Sequence, residues 1–276
     1  MVEKNLLTMP ILEGMKRAEG CLLCYLWLKK EKELMRRMLV DEIVMNPRFM
    51  DEVLAAKGFC NRHMHLLYET AYDSYAEDGL AYALYMRVAI ERIIEQFQSL
   101  SPSLLNQIKG SISRNILVRM RGLRKKFSSL RSVLEKAVEG ETHCPICKRL
   151  WSFDETRLST LVSMLQDEKF REEFESSKGL CLPHFLSAIR VIDESNLENP
   201  AEIIKALLTV ETRCLKLAKR YLSEFIRKQS WEFRDDPAGS EVNANHVVLN
   251  LLAGAEGLYC RSYRAFSPPE NHEGKS

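Results

Sequence analysis

Four potential metal ligands occur twice in this chain with nearly the same spacing, and this duplication constrains the fold more than any other feature. "CLLC" at 21–24 and "CPIC" at 144–147 each place two cysteines three residues apart. "GFCNRH" at 58–63 and "GLCLPH" at 179–184 each place a cysteine three residues before a histidine. Both spacings are hard to obtain twice by chance, so we interpret the chain as two related halves.

The agreement between the halves extends beyond the ligands. Phe49 and Phe170 each precede the third cysteine of their half by eleven residues, and a Lys-Gly pair comes just ahead of that cysteine. Positions from Phe49 to His63 are offset by 121 residues from their counterparts, whereas the CxxC pairs are offset by 123. The first half therefore has two extra residues between its ligand pairs.

Local signals predict helices throughout. Asparagine followed by proline at 46–47 and 199–200 is typical of an N-cap with proline in the first turn, and Asp167 has the capping role in the second half. The Lys-Gly pairs at 57–58 and 178–179 predict helix ends. The third cysteine and the histidine then begin the next helix, where i and i+3 side chains share a face. Since no stretch alternates convincingly like a strand, we predict an all-α helical bundle of two pseudo-equivalent repeats, each with a Cys3His site.

The sequence pattern divides the chain into six segments. These are an N-terminal segment (1–17), a first helical CxxC/CxxH repeat (18–100), a basic amphipathic connecting helix (101–140), a second helical CxxC/CxxH repeat (141–229), a C-terminal loop and helix (230–256) and a flexible tail (257–276). With 46% hydrophobic and 28% charged residues the chain has enough apolar surface for a real core. No signal peptide or membrane-spanning run is found, so we predict the cytoplasm, where patterned cysteines indicate metal or redox chemistry.

Three cysteines and one histidine are a common ligand set of closed, tetrahedral structural zinc. The predicted ligands of two zinc ions are Cys21, Cys24, Cys60, His63, Cys144, Cys147, Cys181 and His184. A helix N-terminus favours the thiolate form of Cys60 and Cys181, because its dipole and free N–H groups stabilise negative charge. Each zinc with three thiolates would carry one negative charge, which brings the formal charge of +2 to about zero.

The same ligands leave alternatives open. An iron–sulfur cluster accepts cysteine ligands but rarely histidine. Thiol redox chemistry at CxxC usually has a βαβ setting, which this sequence lacks, and cysteines that only pack are the remaining interpretation. The sites could close within each half or across the halves, for instance Cys21 and Cys24 with Cys181 and His184. We favour closure within each half, because the shorter loop costs less chain entropy.

Other candidates are weaker. Cys214 lies in an apolar helical pattern, which indicates a core residue, and His65 and His143 flank the predicted ligands. An acidic stretch with one histidine could form a carboxylate/histidine enzyme site, for which the residues are Asp235, Asp236, Glu241 and His246. A solvated loop and helix cap is the simpler interpretation of these four residues. No P-loop, nucleophile elbow or dinucleotide fingerprint is present.

The largest charge asymmetry lies between Lys109 and Lys136, where the only acid is Glu135. The candidate anion or nucleic-acid surface there comprises Arg114, Arg119, Arg121, Arg124, Lys125, Lys126 and Arg131. Residues 109–136 could bind nucleic acid, an acidic protein or an anionic membrane surface. A solvated helix face, paired with acidic neighbours elsewhere in the chain, is the simpler interpretation.

The duplicated "CPIC…KGLCLPHF" pattern and the late segment "EFIRKQSWEFRDDPAGSE" resemble a prokaryotic family of uncharacterised cysteine-motif proteins, catalogued as a domain of unknown function. The resemblance covers residues 18–256. It implies Cys144, Cys147, Cys181 and His184 as the defining motif, with the first four ligands as an earlier copy. That copy departs from the pattern, since it has "LL" where the second has "PI" and lacks a counterpart of Pro183. The resemblance implies no activity.

Together these patterns predict a non-catalytic, metal-binding helical protein that acts as an interaction or binding module, with its partner unknown. The alternatives are a thiol-redox or metal-responsive regulatory protein that uses the same cysteines, or an iron–sulfur protein. A closed Cys3His set leaves no open position for a substrate, which argues against catalysis at the predicted metal sites.

Overall fold

The structure is a computed structural model that describes residues 5–73, 79–109, 131–132, 134–135, 137–233, 236–256 and 258. Within these residues all regular structure is helical, which confirms the predicted all-α class. The α-helices are α1 (Thr8–Arg17), α2 (Leu22–Met38), α3 (Asp41–Val44), α4 (Pro47–Ala56), α5 (Asn61–Asp73), α6 (Leu80–Lys109), α7 (Pro145–Met164), α8 (Glu168–Glu175), α9 (Leu182–Glu194), α10 (Pro200–Arg227) and α11 (Ala244–Ala253). Short 3₁₀ turns lie at Trp231–Phe233 and Ser240–Asn243.

The predicted helix starts ahead of the third cysteines are present. The Asn46 side chain accepts hydrogen bonds from the N–H groups of Arg48 and Phe49, at 3.0 and 3.3 Å, and so caps α4. Asp167 caps α8 by accepting the N–H of Phe170 at 2.9 Å. These caps satisfy main-chain donors that the first helical turn leaves free.

The helix ends at the Lys-Gly pairs differ between the halves. Gly58 and Gly179 both have positive φ, +101° and +71°, as expected for the residue that turns the chain out of a helix. In the first half Lys57 is itself left-handed, at φ +52°. Its ammonium group donates to the carbonyl oxygens of Ala137 and Glu139, at 3.0 and 2.6 Å, and these contacts support that backbone conformation.

Two compact units divide the chain, and they do not follow the two sequence halves. The first unit comprises Met1–Lys30 and Leu150–Ser276, and the second comprises Glu31–Arg149. The core of the first unit is a continuous apolar cluster, in which Leu22 and Leu26 of α2 pack with Leu161 and Leu165 of α7. Residues distant in sequence are therefore neighbours in this unit.

The second unit has an aromatic centre. Tyr85 of α6 is fully buried and contacts the edges of Phe49 and Phe59, with ring centroids 5.7 and 5.5 Å apart. Its hydroxyl donates to the carbonyl oxygen of Met38 at 2.6 Å, so its one polar group is satisfied. These contacts fix α4 and the turn before Cys60 against α6.

The predicted basic segment is covered only in part. Helix α6 continues to Lys109, the start of the basic stretch, and Arg131 pairs with Glu135 at 2.6 Å. Residues 110–130, 133 and 136 lie outside the described residues, and they include the six other basic residues of the predicted anion surface, from Arg114 to Lys126. Among the described helices, none has both the length and the apolar character that crossing a membrane requires.

Candidate metal centres

All four ligand pairs lie at the start of a helix. In each pair the first cysteine directly precedes the helix and the second ligand lies in its first turn. The carbonyl oxygen of that first cysteine accepts the N–H four residues later in every case, from Tyr25, Met64, Lys148 and Phe185 at 2.9–3.1 Å. The first turn therefore presents both ligands of a pair on one side, next to the positive end of the helix dipole.

Site A joins the starts of α2 and α9. Its four ligand atoms, the sulfurs of Cys21, Cys24 and Cys181 and Nδ1 of His184, all lie within 4.8 Å of one another. Nδ1 is 3.4, 3.4 and 3.2 Å from these three sulfurs, and the Cys24 and Cys181 sulfurs are 3.5 Å apart. All four residues belong to the first unit, and Cys181 and His184 are fully buried.

Site B joins the starts of α5 and α7 in the second unit. The sulfurs of Cys60, Cys144 and Cys147 and Nδ1 of His63 again lie within 4.8 Å of one another. Nδ1 is 3.2, 3.5 and 3.3 Å from these sulfurs, and the Cys60 and Cys147 sulfurs are 3.6 Å apart. The eight predicted ligands thus form two groups that could each hold one metal ion.

The predicted closure of each site within one half is wrong. Each site combines the CxxC pair of one half with the CxxH pair of the other, as the sequence also permitted. Loop entropy opposes this pairing only weakly, because each doubling of loop length costs about 0.6 kcal/mol. In the first unit Leu22 and Leu26 share one buried cluster with Leu180, next to Cys181, and burial of a single Leu contributes about 1.5–3 kcal/mol, more than that cost.

Behind each histidine lies a carboxylate that the sequence analysis missed. Nε2 of His63 contacts Oε1 of Glu31 at 3.2 Å, and Nε2 of His184 contacts Oδ1 of Asp154 at 3.1 Å. All four side chains are buried. A carboxylate at Nε2 holds a proton on that nitrogen, so Nδ1 is the ring nitrogen that could bind a metal ion together with the sulfurs.

A sequence signal for these carboxylates exists. Glu31 and Asp154 each follow the first cysteine of their CxxC pair by ten residues, so they obey the same offset of 123 as the cysteines. Each lies on the helix that begins at that pair, α2 or α7. One helix therefore carries two ligands of one site and the carboxylate behind the histidine of the other site.

The two carboxylates differ in how their charge is balanced. Arg62 donates to both oxygens of Glu31, at 2.9 and 2.8 Å. Burial raises the pKa of Glu31, but the hydrogen bonds with Arg62 and His63 lower it to about 2 overall. Within the described residues Asp154 has no Lys or Arg ion pair. The charge of Glu31 beside site B is therefore balanced by Arg62, and the described residues form no such ion pair with Asp154 at site A.

The protonation of the metal-free sites follows from these contacts. Burial opposes the charged form of His63, but hydrogen bonds with Cys60 and Glu31 raise its pKa to about 9. Burial likewise opposes ionisation of Cys144, yet hydrogen bonds from Cys147 and Cys60 lower its pKa to about 3. Without a metal ion these contacts favour the anionic form of Cys144 and the protonated form of His63, and a metal ion bound at Nδ1 would replace the proton there.

Comparison with known families decides the classification. A family described as "Family of unknown function (DUF6062)" matches residues 1–255. The chain belongs to the DUF6062 family. This confirms the predicted resemblance to an uncharacterised family, while the prokaryotic origin of DUF6062 stays a prediction. Searches of curated proteins and of solved structures found no significant match.

The described residues of the weaker enzyme hypothesis, Asp236, Glu241 and His246, do not form a group of potential metal ligands in this DUF6062 structure. Asp236 pairs with Arg227 at 2.6 Å, and Glu241 pairs with Lys228 at 2.7 Å. Nε2 of His246 lies 2.9 Å from the Asn250 amide nitrogen. The fourth residue, Asp235, lies outside the described residues. Among those described, only the two Cys3His groups gather three or more potential metal ligands.

Proposed function

We propose that this chain is a non-catalytic helical protein that holds two structural zinc ions and acts through its folded surface as a binding module. The observation that carries the proposal is the duplicated, closed Cys3His set with a carboxylate behind each histidine. Four protein ligands complete a tetrahedral zinc ion, so no position is left for a substrate or a reacting water.

The ligand spacing supports a single ion at each site. Zinc–sulfur and zinc–nitrogen bonds of about 2.3 and 2.0 Å at tetrahedral angles separate sulfurs by about 3.8 Å and sulfur from nitrogen by about 3.5 Å. The Cys24 and Cys181 sulfurs of site A lie 3.5 Å apart, and the Cys60 and Cys147 sulfurs of site B lie 3.6 Å apart. In both sites Nδ1 lies 3.2–3.5 Å from the sulfurs. An iron–sulfur cluster, which places several iron atoms between its ligands, requires more separated sulfurs.

Reduced cysteines are required for both sites, and we therefore propose a reducing compartment, the cytoplasm. For the partner of this binding module we propose a chemical class, a macromolecule that carries negative charge. The basic residues between Lys109 and Lys136 favour an acidic protein or nucleic acid, and retention on nucleic acid should then fall steeply with salt.

Metal analysis of the purified protein tests the proposal. We expect two equivalents of zinc per chain and six ligand cysteines that do not react with an alkylating reagent until a chelator is added. A brown protein that contains iron would instead indicate an iron–sulfur cluster and contradict the proposed zinc. Reversible oxidation of Cys144 and Cys147 at neutral pH with release of zinc would favour the redox-responsive alternative, in which the same ligands change state.

Purified C24S and C147S variants refine the test, because each removes one ligand from one site. We expect each to retain one tightly bound zinc. The matched control is C214A, since Cys214 lies outside both sites and its thiol donates to the carbonyl oxygen of Lys178 at 3.3 Å. A C214A protein with fewer than two zinc ions would contradict the ligand assignment.

A further inference from the structure

Site A is covered by a segment that carries none of its ligands. The chain leaves α11 at Gly254, and Gly254, Ala255 and Leu258 are all buried. We call these three residues the closing turn. Helix α11 packs against α9 and α10 in the first unit, so the closing turn approaches site A from an element separate from the ligand-bearing helices α2 and α9.

Only glycine fits at the start of the closing turn. Gly254 has φ +77° and ψ −168°, a backbone region that is essentially closed to other residues. A Cβ atom there would lie 3.1 Å from the Cys181 sulfur, 3.6 Å from the Cys24 sulfur and 2.8 Å from Leu258. The main chain can therefore lie directly on two ligand sulfurs only because position 254 lacks a side chain.

The next residue makes a polar contact with the site. The N–H of Ala255 donates to the Cys24 sulfur at 3.3 Å, and both groups are buried. An N–H donor stabilises the negative charge on a thiolate and uses one of its lone pairs. The Leu258 side chain, 2 % exposed, covers the same side of the turn. The closing turn therefore shields the Cys24 and Cys181 sulfurs from solvent, chelators and oxidants on the side that it covers.

We propose that the closing turn controls metal exchange and thiol reactivity at site A, so that Gly254 and Ala255 act as positioning residues of that site. The inference rests on the proposed occupation of site A by zinc. Its chemical consequence is specific: the metal at site A exchanges slowly because its sulfurs are shielded by the main chain, and loosening the turn exposes Cys24 and Cys181 alone.

The test is the rate of zinc transfer to an excess of a chromophoric chelator from the full chain and its G254A variant. We expect G254A to release one zinc equivalent roughly tenfold faster and the other at the native rate, since the added Cβ forces the turn off the sulfurs. Alkylation followed by peptide mass spectrometry should assign the faster equivalent to Cys24 and Cys181, with Cys144 and Cys147 unchanged.

The matched control is G20A, because a Cβ at Gly20 meets no atom within 4 Å although the residue adjoins Cys21. Both zinc equivalents of G20A should leave at the native rate. L258A provides a second test that keeps the glycine, and it should show the same selective acceleration if G254A does not fold.

Native release rates in both G254A and L258A, or equal acceleration of both zinc equivalents, would overturn the role of the closing turn. A native protein with no zinc at site A would instead overturn the proposed function, before any rate is compared. The two failures are therefore distinguishable.

Discussion

At the scale of single residues, each histidine uses both ring nitrogens. Nδ1 faces the sulfurs, and Nε2 meets the carboxylate of Glu31 or Asp154. We predict that D154N weakens metal binding at site A by about 10- to 100-fold and leaves site B unchanged, because the neutral amide no longer stabilises a ligated imidazole. A two-step competition titration with a chromophoric chelator measures both affinities.

The matched variant is E31Q, which should weaken site B and spare site A. It also removes the negative partner of Arg62, so a half-buried cation loses this ion pair and overall stability falls as well. Equal weakening of both sites in either variant would show that the carboxylates act on the fold as a whole and do not position one histidine each.

At the scale of elements, helix α10 holds the turn that leads into Cys181. Oε1 of Glu211 accepts the N–H of Leu180 at 2.7 Å, and the φ of Gly179 is +71° beside this contact. Oε2 is buried, and within the described residues it has no hydrogen-bond partner. Burial raises the pKa of Glu211 to about 7, and the negative charge of the nearby Cys21 thiolate acts in the same direction.

This raised pKa predicts a pH dependence of stability. A carboxyl whose folded pKa exceeds its unfolded value stabilises the fold fully below the unfolded value of 4.5, and that stabilisation is lost as the pH rises through about 7. E211Q keeps the acceptor for Leu180 but does not titrate. Its free energy of unfolding should therefore rise relative to the native protein by about 1 kcal/mol between about pH 6 and pH 8.

Denaturant unfolding of the zinc-loaded proteins at both pH values measures this difference. T209V, a change on an exposed part of the same helix, is the control and should show no pH-dependent difference. A difference between E211Q and the native protein that stays constant across this pH range would mean that Glu211 is already ionised or already protonated throughout.

At the scale of the whole molecule, each site joins distant parts of the chain. Cys21 and His184 are 163 residues apart in sequence, and Cys60 and Cys147 are 87 apart. Metal binding therefore stabilises long-range structure, and removal of both ions with a chelator should lower the midpoint of thermal unfolding by about 10 °C or more. Circular dichroism at matched pH and ionic strength measures the change.

Restoring zinc should restore the midpoint, since the loss comes from the empty sites and no covalent damage is involved. In C24S and C147S the chelator should produce a smaller decrease, because each variant begins with one site already lost. An unchanged midpoint in the native protein after complete removal of metal would exclude a structural role for the ions.

The sequence by itself determined what is local. The caps at Asn46 and Asp167, the glycines at the two Lys-Gly pairs and the i,i+3 pairs at helix starts all depend on neighbouring residues, and spacing is sufficient to predict them. The all-α class was predictable in the same way, whereas the predicted cap Asn199 makes no side-chain capping hydrogen bond. The eight residues of the two Cys3His groups were predictable for the same reason. Glu31 and Asp154 shared the repeat offset, but their role required knowing which histidine each one faces.

Tertiary structure decided which ligand pairs meet. The CxxC pairs close with the CxxH pairs of the other half, because packing in each unit brings those helix starts together and loop length opposes this only logarithmically. The closing turn over site A was also beyond sequence reasoning, since Gly254 gains its role only from sulfurs 73 and 230 residues away in the chain. Ligand identity is a local property, whereas ligand partnership is a property of the packed core.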